Sequence, residues 1–102
     1  MNRAVAEEAV ASDPLPHLAA QFFAVHAESE ALPEDASAEV DDAVYARWAA
    51  TADACYARAP RTAAGALSLL DVILAREVDF IDPMAMKALR VLRDGLASMV
   101  RS

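Results

Sequence analysis

Ala59-Pro60-Arg61-Thr62-Ala63-Ala64-Gly65-Ala66-Leu67-Ser68-Leu69-Leu70 stops one helix and starts the next with almost no connector. Pro60 cannot continue an incoming helix, because it has no N–H and its ring clashes with the preceding turn. Thr62 is placed to cap the outgoing helix by accepting a backbone N–H from its first turn. Two helices joined this tightly are expected to fold back as an antiparallel pair. The reading is an all-α chain.

Working outward, Asp13-Pro14 and Asp82-Pro83 repeat one device, an aspartate cap followed by proline at the first helical position. Helical segments are expected over about 14–29, 36–59, 62–78 and 83–101. In the first, Leu15, Leu18, Ala19, Phe22, Val25 and His26 share a face. In the second, Val40, Val44, Trp48, Thr51 or Ala52, Cys55 and Ala59 form a stripe behind an acidic opening of Glu39, Asp41 and Asp42, which suits the positive end of a helix dipole. In the third, apolar residues from Ala66 to Leu74 cover far more of the circumference than a surface helix needs. That segment is expected to be central in the fold or shared with a second subunit. In the last, Leu89, Leu92, Leu96 and Met99 follow the spacing of a bundle seam, with Gly95 inside it.

The architecture expected from these patterns is an up-and-down helical bundle of three long helices, with the Ala- and Glu-rich residues 1–12 either a fourth, short N-terminal helix or a frayed segment. Residues 13–102 form its single domain. Leu18, Phe22, Val25, Val44, Trp48, Leu70, Ile73, Leu74, Leu89, Leu92 and Leu96 are the expected core.

Composition narrows the function classes. Apolar residues make up 57% of the 102, much of it alanine, which builds helix but buries little area. The net charge is −7, from −8 in residues 1–50 and +1 in residues 51–102. Acidity of this size argues against nucleic acid as a partner. No apolar run approaches the roughly 18 residues of a membrane span, and Glu7 and Glu8 interrupt any signal-peptide core. The expected location is the cytoplasm. Cys55 is the only cysteine, so no internal disulfide can form.

No catalytic constellation is recognised. His17 and His26 lie nine residues apart, on opposite faces of one helix, and no Cys-x-x-Cys or His-Glu-x-x-His framework is present. No metal or cofactor is expected. Gly65 and Gly95 cannot form a phosphate loop, and no Gly-x-Ser-x-Gly elbow exists. His26 alone has a chemical edge. On an apolar face its nitrogens need partners, for which Tyr45, Asp41 or a backbone carbonyl are candidates. Tyr45 and Tyr56 flank one edge of the second stripe, three turns apart. His26, Tyr45 and Tyr56 are therefore the candidate ligand-binding residues. Cys55 reads as a small buried hydrophobe.

The stretch 53–77 resembles a pattern in small uncharacterised all-α bacterial proteins, a Pro-x-Thr-x-x-Gly helix start followed by an apolar run. Here the elements are Ala57, Pro60, Thr62, Gly65 and Leu67 to Leu70, with Ala63 in place of a second threonine. The resemblance implies the helical hairpin and carries no activity. Together these readings point to a non-enzymatic interaction or self-association module, expected as a homodimer or in contact with another protein. Leu67, Leu69, Val72, Leu89 and Val100 are its candidate interface. A small-ligand binder or minor enzyme with a pocket around His26 is the alternative.

Overall fold

The computed structural model describes residues 13–101; the short helix expected in residues 1–12 lies outside them. Four helices follow one another: α1 (Leu15–Glu30), α2 (Ala38–Tyr56), α3 (Ala63–Arg76) and α4 (Pro83–Arg101). At 16, 19, 14 and 19 residues they are all of similar length, so the count of three long helices and one short one is corrected to four. No strand occurs among the described residues.

Each start has local chemistry behind it. Ser37 Oγ accepts from Val40 N at 3.2 Å, Thr62 Oγ1 from Gly65 N at 2.9 Å, and Asp82 Oδ2 from Met84 N at 2.9 Å. These bonds satisfy donors that a helix start leaves orphaned. The second helix ends at Tyr56, earlier than the expected Ala59. Ala57 N still closes on Asp53 O, but Arg58 N bonds Cys55 O in a tightened last turn, and the helix is over before Pro60.

Packing does not follow chain order. α1 lies between α2 and α3, making extensive contact with both, while α2 and α3 touch over a much smaller area. Tyr56, in the last turn of α2, bonds Glu77, the residue that follows α3. In an antiparallel hairpin it would lie beside the start of α3 instead. The expected α2–α3 hairpin is thus replaced by α1 packing on each of them. Among the described residues, α4 packs against α3 alone. The result is a row, α2–α1–α3–α4, with dimensions of 54 × 32 × 21 Å. Its radius of gyration is 15.7 Å, against roughly 13 Å for a compact chain of about this size.

The core is built where three helices meet: Leu15, Ala19 and Phe22 of α1, Ala52 and Cys55 of α2, and Val72 of α3. Leu18, Trp48, Leu69 and Ala75 close over it. Ala19, Ala52 and Cys55 are small, which lets the helix axes approach closely. Of the expected core, Phe22, Val44 and Leu70 are buried. Leu92 is not; it is 55% exposed, because α4 has a neighbour on one side only.

One buried charge ties the row together. Asp13 retains 6% of its accessible surface. Its Oδ1 accepts from Leu15 N at 3.1 Å and so caps α1. Its Oδ2 accepts from Arg61 N at 3.0 Å, Thr62 N at 2.9 Å and the Thr62 hydroxyl at 2.7 Å. A carboxylate at the positive end of α3 is further favoured by the helix dipole. Gly65 makes this approach possible. A Cβ there would lie 2.7 Å from Asp13 Cγ and 2.9 Å from Oδ1, closer than real side chains come. Pro60, Thr62 and Gly65 thus serve one junction. The proline ends the incoming chain, the threonine caps and donates, and the glycine clears space for the aspartate.

Candidate functional site

The chemistry-bearing side chains gather on one face of α1 and α2. Phe22 and Phe23 project from one turn of α1 and His26 from the next, and Tyr45 and Trp48 project from adjacent turns of α2. His26 stacks near Phe22 (centroids 5.6 Å apart) and near Trp48 (6.3 Å), and Tyr45 lies 5.8 Å from Trp48 on its outer side. Arg76, at the end of α3, places its guanidinium 5.1 Å from the Trp48 ring centre, a cation–π contact.

Trp48 and Glu30, rather than Tyr45 or Asp41, are the partners of His26. Trp48 Nε1–H donates to His26 Nδ1 at 3.1 Å, and His26 Nε2 lies 3.1 Å from Glu30 Oε1. An indole nitrogen only donates, so Nδ1 must accept and Nε2 must carry the proton that faces Glu30. Both ring nitrogens therefore have a partner within the protein. The sequence signal for Glu30 was an ordinary i, i+4 spacing on α1. The signal for Trp48 was absent, since the two residues are 22 apart and only the packing of α1 on α2 aligns them.

Tyr56 does not join His26. It donates to Glu77 Oε1 at 3.2 Å, and its hydroxyl is pushed up to about 12, first by burial and then by the Glu77 charge and hydrogen bond, with Arg76 opposing. Arg76 Nη1 also bonds Glu77, at 2.9 Å, while its Nε is the one buried side-chain polar atom without a hydrogen-bond partner among the described residues. Cys55 is fully buried, and burial pushes its thiol up, away from the thiolate form that reacts. No group of three or more His, Cys, Asp or Glu among the described residues is placed to hold a metal ion. Two surface concavities, of about 410 and 250 Å³, lie along α4 and beside Pro14 and Arg58; His26 lines neither.

Trp48 is the sole tryptophan, so its emission reports on this cluster directly. Trp48→Phe keeps a ring in place but removes the donor to His26. The expected loss is about 1 kcal/mol in urea unfolding. Paired with His26→Ala in a double-mutant cycle, the coupling should reach about 0.5–1.5 kcal/mol. Strict additivity of the two substitutions would mean that the indole–imidazole bond contributes nothing.

The expected interface residues divide. Val72 is fully buried in the core and cannot meet a partner. Leu69 closes over that core, and Leu67 is half-buried, because α1, α2 and α4 absorb the wide apolar arc of α3. Leu89 is half-buried and Val100 is 42% exposed.

Exposed apolar residues occur in several places, Phe80 (83%) and Tyr45 (61%) among them, but the longest run of them lies on α4. Met84, Val91, Leu92 and Met99 are 77%, 67%, 55% and 68% exposed, and Ala85, Ala88 and Gly95 between them are exposed as well. The buried face of α4, centred on Met86 and Ala97, is anchored to α3 by Arg93 Nε and Asp71 Oδ1 at 2.9 Å. Both halves of that ion pair come from the second half of the chain, whose net charge is +1. No helix among the described residues is long and apolar enough to cross a membrane. Comparison with protein-family models, with curated proteins and with solved structures finds no match to this chain.

Proposed function

We propose that this chain is a non-enzymatic protein-interaction module whose contact element is α4. The observation that carries the reading is the exposure of Met84, Val91, Leu92 and Met99 along one side of a helix with a single neighbour among the described residues. Stripes of this kind mark surfaces that another protein covers. The His26 cluster gives the ligand-binding alternative no comparable support, because its hydrogen bonds are closed within the protein.

The test is capture from a lysate of the native host, with the wild-type chain and a Val91→Glu/Leu92→Glu variant immobilised side by side. Both side chains point away from the fold, so the variant should retain its helix content by circular dichroism. Protein retained by the wild type and lost from the variant is the expected result. Identical recovery from both would remove α4 as the contact element.

A further inference from the structure

We propose that the contact between His26 and Trp48 is a proton-operated latch between α1 and α2, closed by the neutral imidazole and opened by the imidazolium. Donor chemistry dictates the device. Trp48 Nε1–H approaches His26 Nδ1 at 3.1 Å, and an indole nitrogen can only donate. The second proton of an imidazolium sits on Nδ1 itself. Two N–H groups would then face each other across that 3.1 Å. No choice of tautomer relieves the conflict, because both nitrogens of the charged ring donate. On its other side the charged ring keeps an acceptor, since Glu30 Oε1 lies 3.1 Å from Nε2. Protonation therefore exchanges partners: the ring holds Glu30, on its own helix, and releases Trp48, on the neighbouring one. The His26 side chain is 27% exposed, so water delivers the proton without unfolding the cluster.

The charged groups around the pair come from three helices. On α1, Glu30 favours the imidazolium, through a carboxylate that is 72% exposed and screened by water. On α2, Arg47 precedes Trp48 and is neutralised by an ion pair with Glu28 of α1. Tyr45 rests against Trp48, and a phenol stays neutral throughout the range in which an imidazole titrates. On α3, the Arg76 guanidinium stands 5.1 Å from the Trp48 ring centre and opposes a second positive charge, with Glu77 paired to it at 2.9 Å. Among the described residues only Trp48 and Glu30 bond the imidazole. Trp48 is also where three helices converge, since its ring lies 5.9 Å from Phe22 of α1 and beneath Arg76 of α3. Opening the latch hands the indole N–H to water and frees this side of α2 to shift against α1.

The experiment is an NMR titration of the isotope-labelled full chain from about pH 8 to about pH 5, the span in which histidine changes charge. All of it lies above the range in which the Asp13 carboxyl, lowered from 3.8, gains its proton. Trp48 is the sole tryptophan, so its indole N–H is a single resonance. As the ring carbons of His26 report proton uptake, that resonance should move with the same midpoint, and its protection from solvent exchange should fall about fivefold or more. In His26→Gln, whose amide oxygen accepts from the indole at every pH, the resonance should stay in place. In Trp48→Phe, His26 should take up its proton about half a pH unit higher, because no N–H then competes for Nδ1. An indole that keeps its shift and protection while His26 gains its proton would overturn the latch. So would a His26 that stays neutral to the end of the titration, an indole transition that persists in His26→Gln, or unchanged proton uptake in Trp48→Phe. The wild-type titration decides alone if either variant fails to fold. No residue of α4 takes part, so the outcome leaves the interaction reading of that helix untouched.

Discussion

Asp13→Ala is expected to destabilise the fold by about 3 kcal/mol, a large share of the total for a domain of this size. The substitution strands four donors at once: Leu15 N, Arg61 N, Thr62 N and the Thr62 hydroxyl. Each unsatisfied buried donor costs about 1–3 kcal/mol, and water entering the loop at Arg61 recovers part of the sum. Asp13→Asn should cost less, since one oxygen still accepts, but its amide must turn two hydrogens toward groups that donate. Urea unfolding followed by Trp48 emission and by helix content measures both.

The same junction sets an acid dependence. Burial raises the Asp13 pKa, but the hydrogen bonds from the Thr62 hydroxyl and from the Leu15, Arg61 and Thr62 amides outweigh it, and the group ends below its ordinary value of 3.8. A carboxyl with a depressed folded-state pKa contributes stability in full above its unfolded value and loses that contribution as pH falls through the folded one. Wild-type stability should therefore fall as pH drops below about 4, and the fall should be shallower in Asp13→Asn. Equal slopes for the two proteins over that window would show that Asp13 is not the linked group.

Gly65→Ala is the second large effect, and its sign is the informative part. In most helices this exchange gains about 1 kcal/mol. Here the new methyl group meets the Asp13 carboxylate, at 2.7 Å from Cγ and closer still to Oδ2. The carboxylate cannot retreat without giving up Arg61 N and Thr62 N. A net loss of about 2–3 kcal/mol is expected, from steric displacement together with the abandoned hydrogen bonds. In an Asp13→Ala background the obstacle is gone. Adding Gly65→Ala there should become neutral or favourable, by up to about 1 kcal/mol. A loss of the same size in both backgrounds would place the conflict somewhere other than Asp13.

These two predictions show how far local chemistry reached. Asp13-Pro14 and Asp82-Pro83 are the same dipeptide, and both aspartates cap a helix. Only Asp13 is buried and bridges to a second helix, 48 residues away along the chain. Thr62 was legible as a cap, because capping acts over three residues. Its second role, as donor to Asp13, depends on α1 arriving beside it. The His26 cluster divides in the same way: the need of a half-buried imidazole for partners was readable, but the identity of Trp48 was not.

Helix type and helix starts follow from effects confined to one or two turns: proline geometry, side-chain caps and the recurrence of apolar residues every three or four positions. Those effects made four helical segments and the Thr62 start readable from residue order. Which apolar faces found neighbours was settled only when the helices assembled. Val72 and Leu92 both lie on apolar arcs, yet α1 and α2 bury the first while the second stays 55% exposed, with no neighbour of α4 but α3 among the described residues. Periodicity marks a face that gains by leaving water; it carries no information about which of several equally apolar faces stands opposite.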